Sequence, residues 1–377
     1  MKISFVVSDF SENCLGRVYI LAKMLESRFE VEVVGPLFGE KIWLPCDTGE
    51  FTYKAVKCDP ILPHFLKHIK EMGNLISGDV IYSSKPRFAS FGLGILANLG
   101  NRRPLLLDID DWEVGWYLPY RFRKMASVSV KTFFEANGFL STCVLEKMIL
   151  LADGKTTASK FLQNRFGGEY IPHARDTEFL DPSKFDGKKL KRELGLSKEK
   201  VIMFLGSPKP HKGIGDVFKA LKLLNKNNVK LIIIGAVNGN RLKEEVPSEI
   251  APSVVIKGMI PFCNIPEYLA SADLVVLPQN SAPSNYAQVP AKLFDAMAMG
   301  RPIVSTNMSD MPDILRDCGF IAEPGSPQSL AEKIDYILTH PEEASEAGQR
   351  AREKCIREYS FTVVGRRLAE YIEQIVQ

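Results

Sequence analysis

The sequence predicts an α/β protein made of two Rossmann-like domains facing each other across a cleft. Three observations carry that prediction. Short apolar runs alternate with longer stretches of helical periodicity, the rhythm of parallel sheets covered by helices. The rhythm runs once through residues 1–172 and again through 191–358. The chain has 377 residues, 45% hydrophobic and 25% charged, which is ordinary globular composition and enough to bury two cores.

The elements follow in order. Residues 2–7, 31–34, 80–82 and 105–109 read as strands of the first domain. Residues 16–28 carry Val18, Leu21, Ala22 and Leu25 at helical spacing. The stretch 173–190, with Pro182 and several charges, reads as a linker. The second domain then alternates strands at 201–205, 230–234, 254–256, 274–277 and 303–305 with helices at 213–225, 265–271 and 292–299. Gly300-Arg301-Pro302 is a helix stop signal. Helices at 329–338 and 341–358 follow, and a last one near 362–376, within 359–377, is expected to return to the first domain.

Composition excludes some classes. A net charge of +3 is too small to argue for nucleic acid. The seven cysteines include no C-x-x-C pair and no zinc spacing, so reduced thiols in a cytoplasmic protein are the simplest reading. No segment reads as a secretory signal, and the apolar stretch 139–152 is broken by Glu146 and Lys147.

Ligands of doubly wound sheets bind beyond the carboxyl ends of the strands, so residues just after strands carry the argument. The loop from Gly206 to Gly213 contains Ser207, Lys209 and Lys212 and opens a helix, which suits a diphosphate. Its spacing is not that of a Walker loop. Further on, Pro290 suits a first helical turn, leaving the amides of Ala291, Lys292 and Leu293 for phosphate. Asp295, one turn in, either accepts from a ribose diol or simply favours the helix terminus. Asp108, Asp110, Asp111 and Glu113 crowd the end of a strand, where paired carboxylates do acid–base work, hold a cation or cap the next segment. Gly16, with Arg17 beside it, marks a tight strand-to-helix turn. Residues 114–134 interleave Trp116, Tyr117, Tyr120, Phe122, Phe133 and Phe134 with Arg121, Arg123, Lys124 and Lys131. That composition fits an anionic membrane surface, a phosphorylated or saccharide acceptor, or packing between domains.

Together these positions resemble glycosyltransferase family 4, whose fold is GT-B. The resemblance rests on Gly206 to Lys212-Gly213, Gly235, Gly258, Ala272-Asp273, and the run Lys292-Leu293-Phe294-Asp295-Ala296-Met297-Ala298-Met299-Gly300-Arg301-Pro302. Ile171-Pro172-His173-Ala174-Arg175-Asp176 lies where the family carries its inter-domain segment. Carried over, the resemblance gives Lys212 the donor diphosphate, Asp295 the ribose, Gly16 a turn near the donor, and Met259 and Ile260 the base. It also places Ser207 where the family has a phosphate-binding arginine, Ala287 at the first glutamate of its pair, and Asp110 at its histidine. Lys209 stands near enough to supply the arginine's charge.

The resemblance implies a retaining glycosyltransferase that moves a sugar from a nucleotide diphosphate sugar to a hydroxyl of a saccharide, lipid-linked or other acceptor. Asp110, Asp111 and Lys212 would carry the chemistry, with no cofactor or divalent metal. A nucleotide-sugar epimerase and a catalytically silent nucleotide-binding protein are the alternatives.

Overall fold

The computed structural model describes residues 1–117 and 132–377, in two compact units. The first unit is Met1–His173 with Phe361–Gln377, and the second is Ala174–Ser360.

In the first unit seven parallel strands form one sheet: β1 (Lys2–Val6), β2 (Glu30–Leu37), β3 (Tyr53–Lys57), β4 (Val80–Ser84), β5 (Leu105–Ile109), β6 (Gly154–Thr157) and β7 (Glu169–Tyr170). Their order is β3-β2-β1-β4-β5-β6-β7, so the winding reverses between β1 and β4. β4 and β5 are buried throughout, as strands covered on both faces must be. The helix Leu15–Leu25 follows β1 and is buried along almost its whole length.

The last helix, Phe361–Val376, packs against Leu15–Leu25 and so belongs to the first unit. A Cβ on Gly365 would lie 2.9 Å from the Met24 carbonyl oxygen, so the missing side chain is what lets the two backbones approach. Tyr371 accepts a hydrogen bond from the Lys155 amide at 3.0 Å, and Arg28 pairs with Glu373 at 2.7 Å.

The second unit holds six parallel strands: β8 (Lys200–Leu205), β9 (Val229–Ile234), β10 (Val254–Lys257), β11 (Leu274–Leu277), β12 (Ile303–Thr306) and β13 (Phe320–Ala322). The order β10-β9-β8-β11-β12-β13 reverses between β8 and β11. Alternate residues of β8 enter different cores. Val201, Met203 and Leu205 pack with Phe294 and Met297, and Ile202 and Phe204 with Phe218 and Ile334.

The stretch 173–190, expected as a linker, is built into the second unit from Ala174 onward. Leu180 is buried in its core, and a Cβ on Gly187 would lie 2.0 Å from the Ala270 carbonyl oxygen. Strands β3, β6 and β7 carry little apolar signature of their own, and β13, though apolar, has three residues. Gly154-Lys155-Thr156-Thr157 becomes β6 because β5 offers it a parallel edge, and Thr156 donates to Asp108 at 2.7 Å. No helix among the described residues is long and apolar enough to cross a membrane.

Candidate functional site

In the second unit the polypeptide leaves β8 through Gly206, whose φ is 105°, a conformation open to glycine and strained for other residues. The loop tightens through Lys209 (amide to the Ser207 carbonyl, 2.9 Å) and Lys212 (amide to the Lys209 carbonyl, 2.9 Å). Gly213, at φ 71°, then opens the helix Ile214–Leu224. A Cβ on Gly213 would lie 1.7 Å from the Pro278 carbonyl oxygen, so the loop after β8 sits directly on the loop after β11. Asn285, fully buried, fastens the two. Its Nδ2 donates to the carbonyls of His211 and Asn280, both at 2.8 Å.

These loops mark the winding reversal between β8 and β11, at the carboxyl ends of the strands. Two ammonium groups converge there. A substituent on Gly206 would meet Lys292 Nζ at 3.7 Å and Lys212 Nζ at 3.8 Å. Two cations over a bare glycine backbone form a cradle for a dianion such as a diphosphate. Lys292 is expected here from the sequence for its amide. The structure adds its side chain, which the break at Ser207 and Ala287 could have suggested. Ser207 is half-buried on the same loop and Lys209 is exposed at its tip. Met259 and Ile260 are half-buried after β10, two strands away on the same end of the sheet.

One expectation for this region is corrected, and a second residue has a protein partner. The helix starts at Lys292, and the Leu293 amide is taken by the Pro290 carbonyl at 2.9 Å, so it is not open to phosphate. Pro290 and Ala291 form that preceding turn. Asp295, expected at a ribose, is also paired with Arg175. Arg175 Nε bonds one carboxylate oxygen and Nη2 the other, the latter at 3.1 Å. The same guanidinium donates to the carbonyls of Ala174 and Ala291, both at 2.7 Å. Both residues are under 10% exposed. A buried carboxylate needs a partner, and the partner lies 120 residues away, out of reach of a local reading.

In the first unit, the acids at the end of β5 are matched by three cations from other elements. Asp108 is held by Arg17, through Nε at 3.1 Å and Nη2 at 2.9 Å. Arg17 also donates to the carbonyls of Ile171 at 2.7 Å and Pro172 at 3.1 Å. Lys85, buried and at φ 64°, reaches Asp110 at 3.0 Å, Asp111 at 2.5 Å and Glu113 at 2.9 Å. Arg87 binds Glu113 through Nε at 2.9 Å and Nη2 at 2.5 Å. The crowding is therefore compensated from within. Among the described residues no group of His, Cys, Asp and Glu is arranged to hold a metal ion. Burial, with Asp111 and Asp108 close by, raises the Asp110 carboxyl to about 6, against the opposing pull of Lys85 and Arg17. Lys85 and Arg87 follow β4, which borders the winding reversal of this sheet, so the rule of looking just after strands would have found them.

Gly16 lies in the first turn of Leu15–Leu25, buried, its amide bonded to the Asn13 carbonyl at 3.1 Å. Of the basic, aromatic stretch 114–134, residues 118–131, including Tyr120, Arg121, Phe122, Arg123, Lys124 and Lys131, lie outside the described residues. Tyr117 packs on Phe139 with ring centroids 4.7 Å apart, and Phe133 and Phe134 are 50% and 58% exposed.

Residues 199–340 match the family model described as Glycosyl transferases group 1, over the region where the sequence resemblance is strongest. The chain is similar to the amylovoran biosynthesis glycosyltransferase AmsK of Erwinia amylovora, 25% identical over 203 residues, covering 52% of this chain and 49% of AmsK. It is similar also to the N-acetyl-alpha-D-glucosaminyl L-malate synthase of Bacillus anthracis, 27% identical over 184 residues, covering 47% of this chain and 46% of that one. The chain spans about half the length of these curated relatives. Among solved structures, Anabaena Alr3699/HepE in complex with UDP aligns with a TM-score of 0.74 at 20% identity, over 99% of this chain and 100% of that one. The sucrose-phosphate synthase of Thermosynechococcus elongatus aligns at 0.75 and 17% identity, over 100% and 99%. At such identities the likeness is one of fold: two α/β domains with parallel sheets, of the GT-B type.

Proposed function

We propose that this chain is a retaining glycosyltransferase that moves a sugar from a nucleotide diphosphate sugar to an acceptor hydroxyl. The observation that carries the reading is the meeting of Lys212 and Lys292 over Gly206, at the winding reversal of the second sheet. In the reaction the bond from the anomeric carbon to the diphosphate oxygen breaks, and negative charge grows on the leaving oxygen. The acceptor oxygen bonds to that carbon and passes its proton to the departing diphosphate oxygen, with the anomeric configuration kept. Preorganised cations aimed at the growing charge lower the barrier. Lys212 and Lys292 supply that charge, with Lys209 and Ser207 at the loop edge. Met259 and Ile260 face the base.

In the first unit, Asp110 and Asp111 orient a hydroxyl of the donor sugar or of the acceptor, while Lys85 fixes both carboxylates. A carboxyl raised to about 6 exchanges its proton readily near neutrality, which suits that task. The exposed pair Phe133 and Phe134 supports an acceptor presented at a membrane surface.

The test is calorimetry across nucleoside diphosphates and their sugars, followed by product analysis with the donor that binds. Lys212→Ala and Lys292→Ala are each expected to weaken diphosphate binding by about 1–3 kcal/mol, the worth of a charge-assisted hydrogen bond. Unchanged affinity in both variants would overturn the phosphate assignment. A product of inverted anomeric configuration would overturn the retaining mechanism.

A further inference from the structure

The two ammonium groups that meet over Gly206 stand on supports of different kinds. Lys212 belongs to the loop after β8, which fastens itself. Its amide donates to the Lys209 carbonyl at 2.9 Å, the Gly213 amide to the Pro210 carbonyl at 3.0 Å, and Asn285 Nδ2 to the His211 carbonyl at 2.8 Å. Lys292 opens a helix of seven residues, Lys292–Ala298, and the Ala291 before it gives no side-chain cap. A helix that short is marginal by its own hydrogen bonds, so the place of its first turn depends on contacts from outside.

Arg175 supplies those contacts. Its guanidinium reaches both ends of the first turn. Nη2 donates to the Ala291 carbonyl at 2.7 Å, while Nε and Nη2 take the two carboxylate oxygens of Asp295. Lys292 lies in the chain between these two gripped positions. Arg175 is itself fixed, because Nη1 donates to the Ala174 carbonyl at 2.7 Å and the backbone amide to the Tyr359 carbonyl at 2.9 Å. The Tyr359 ring packs on Phe294 of the same short helix, with centroids 4.9 Å apart. Burial shields the pair from water, which makes its charge-assisted bonds strong and directional. Two like charges drawn to one point repel each other until an anion arrives, so the backbone that carries Lys292 has to be held against that push.

We propose that Arg175 is the positioning residue of the diphosphate cradle. It holds the first turn of Lys292–Ala298 so that the Lys292 ammonium stands beside that of Lys212 over Gly206, and it does this without touching the ligand. The role rests on the diphosphate reading of the two lysines and is independent of what the diphosphate carries.

The experiment is calorimetric titration of the full chain with inorganic diphosphate at constant ionic strength. Arg175→Lys keeps the charge but replaces the planar fork by a point donor, which cannot hold Asp295 and Ala291 together. The double variant Arg175→Met with Asp295→Leu removes both charges at once. The probe has no ribose, so the loss of Asp295 removes no contact with it. Each of these is measured alone, with Lys292→Ala, and with Lys212→Ala as the control. Alone, each should weaken diphosphate binding by about threefold or more, the loss of a typical hydrogen bond. The same loss should recur in the Lys212→Ala background and vanish in the Lys292→Ala background. The double variant carries the test if Arg175→Lys fails to fold. Losses of equal size in the two lysine backgrounds would show that Arg175 supports the fold at large, and would overturn the proposal. Unchanged affinity in both Arg175 variants, or no diphosphate binding by the wild type, would overturn it equally. Coupling to Lys292 alone, with no response to any nucleotide sugar, would remove the sugar-transfer reading and leave the positioning role intact.

Discussion

Asp110 and Asp295 are acids of the same chemical type, and their surroundings give them opposite tasks. Asp110 shares Lys85 with two other carboxylates and keeps its proton up to about 6, against an ordinary value of 3.8. A carboxyl whose pKa rises on folding holds its proton more tightly in the folded chain, so it withdraws stability as pH climbs from about 4 through 6. Asp110→Asn removes that titration. Relative to wild type its stability should improve with rising pH across this window, by on the order of 1–3 kcal/mol in urea unfolding. A difference flat in pH would contradict the assignment. Asp295 instead forms a closed pair with Arg175. Arg175→Met strands a buried carboxylate and should cost about 3–5 kcal/mol, most of it recovered in the double variant with Asp295→Leu. Equal losses in the single and double variants would show that the guanidinium's bonds to Ala174 and Ala291, not the pair, fix this turn.

Among the elements, the loop after β8 and the loop after β11 act as one piece because Gly213 permits their contact and Asn285 ties them. The final helix shows the same logic on a larger interface. It docks only where Gly365 lets its backbone reach Met24. Gly365→Val forces side-chain carbons into a 2.9 Å approach to a carbonyl oxygen. It should destabilise the first unit by about 1–3 kcal/mol, read as a lowered thermal transition. An unchanged transition would mean that the helix contributes little to that unit. Sequence periodicity found this helix and six others, most of them within a residue or two, since amphipathic stripes are local, but it passed over the helix Leu62–Leu75 and the shorter helices. It missed β3, β6, β7 and β13, because a polar or very short segment becomes a strand only through the edge it joins.

Across the whole molecule, two alternations of apolar strand and helix were enough to specify two doubly wound sheets, each burying its own core. Their carboxyl ends could be named in advance, and Gly206, Lys212 and the acids after β5 were found there. What the chain's own order could not reveal was which charges meet. Arg175 finds Asp295 at a separation of 120 residues, Arg17 finds Asp108 at 91, and Lys85 finds Asp111 at 26. For the same reason 173–190 reads as a linker in the sequence, although Leu180 lies in the core of the second unit. The sequence by itself determined the fold class, the alternation of its strongest strands and helices, and the ends of the sheets where chemistry belongs, because hydrophobic period and turn residues act over a few neighbours. Tertiary structure alone decided the partners of each charge. Desolvation penalises any buried ion that lacks a counter-ion or hydrogen bonds, and the groups that satisfy it are brought together only by folding.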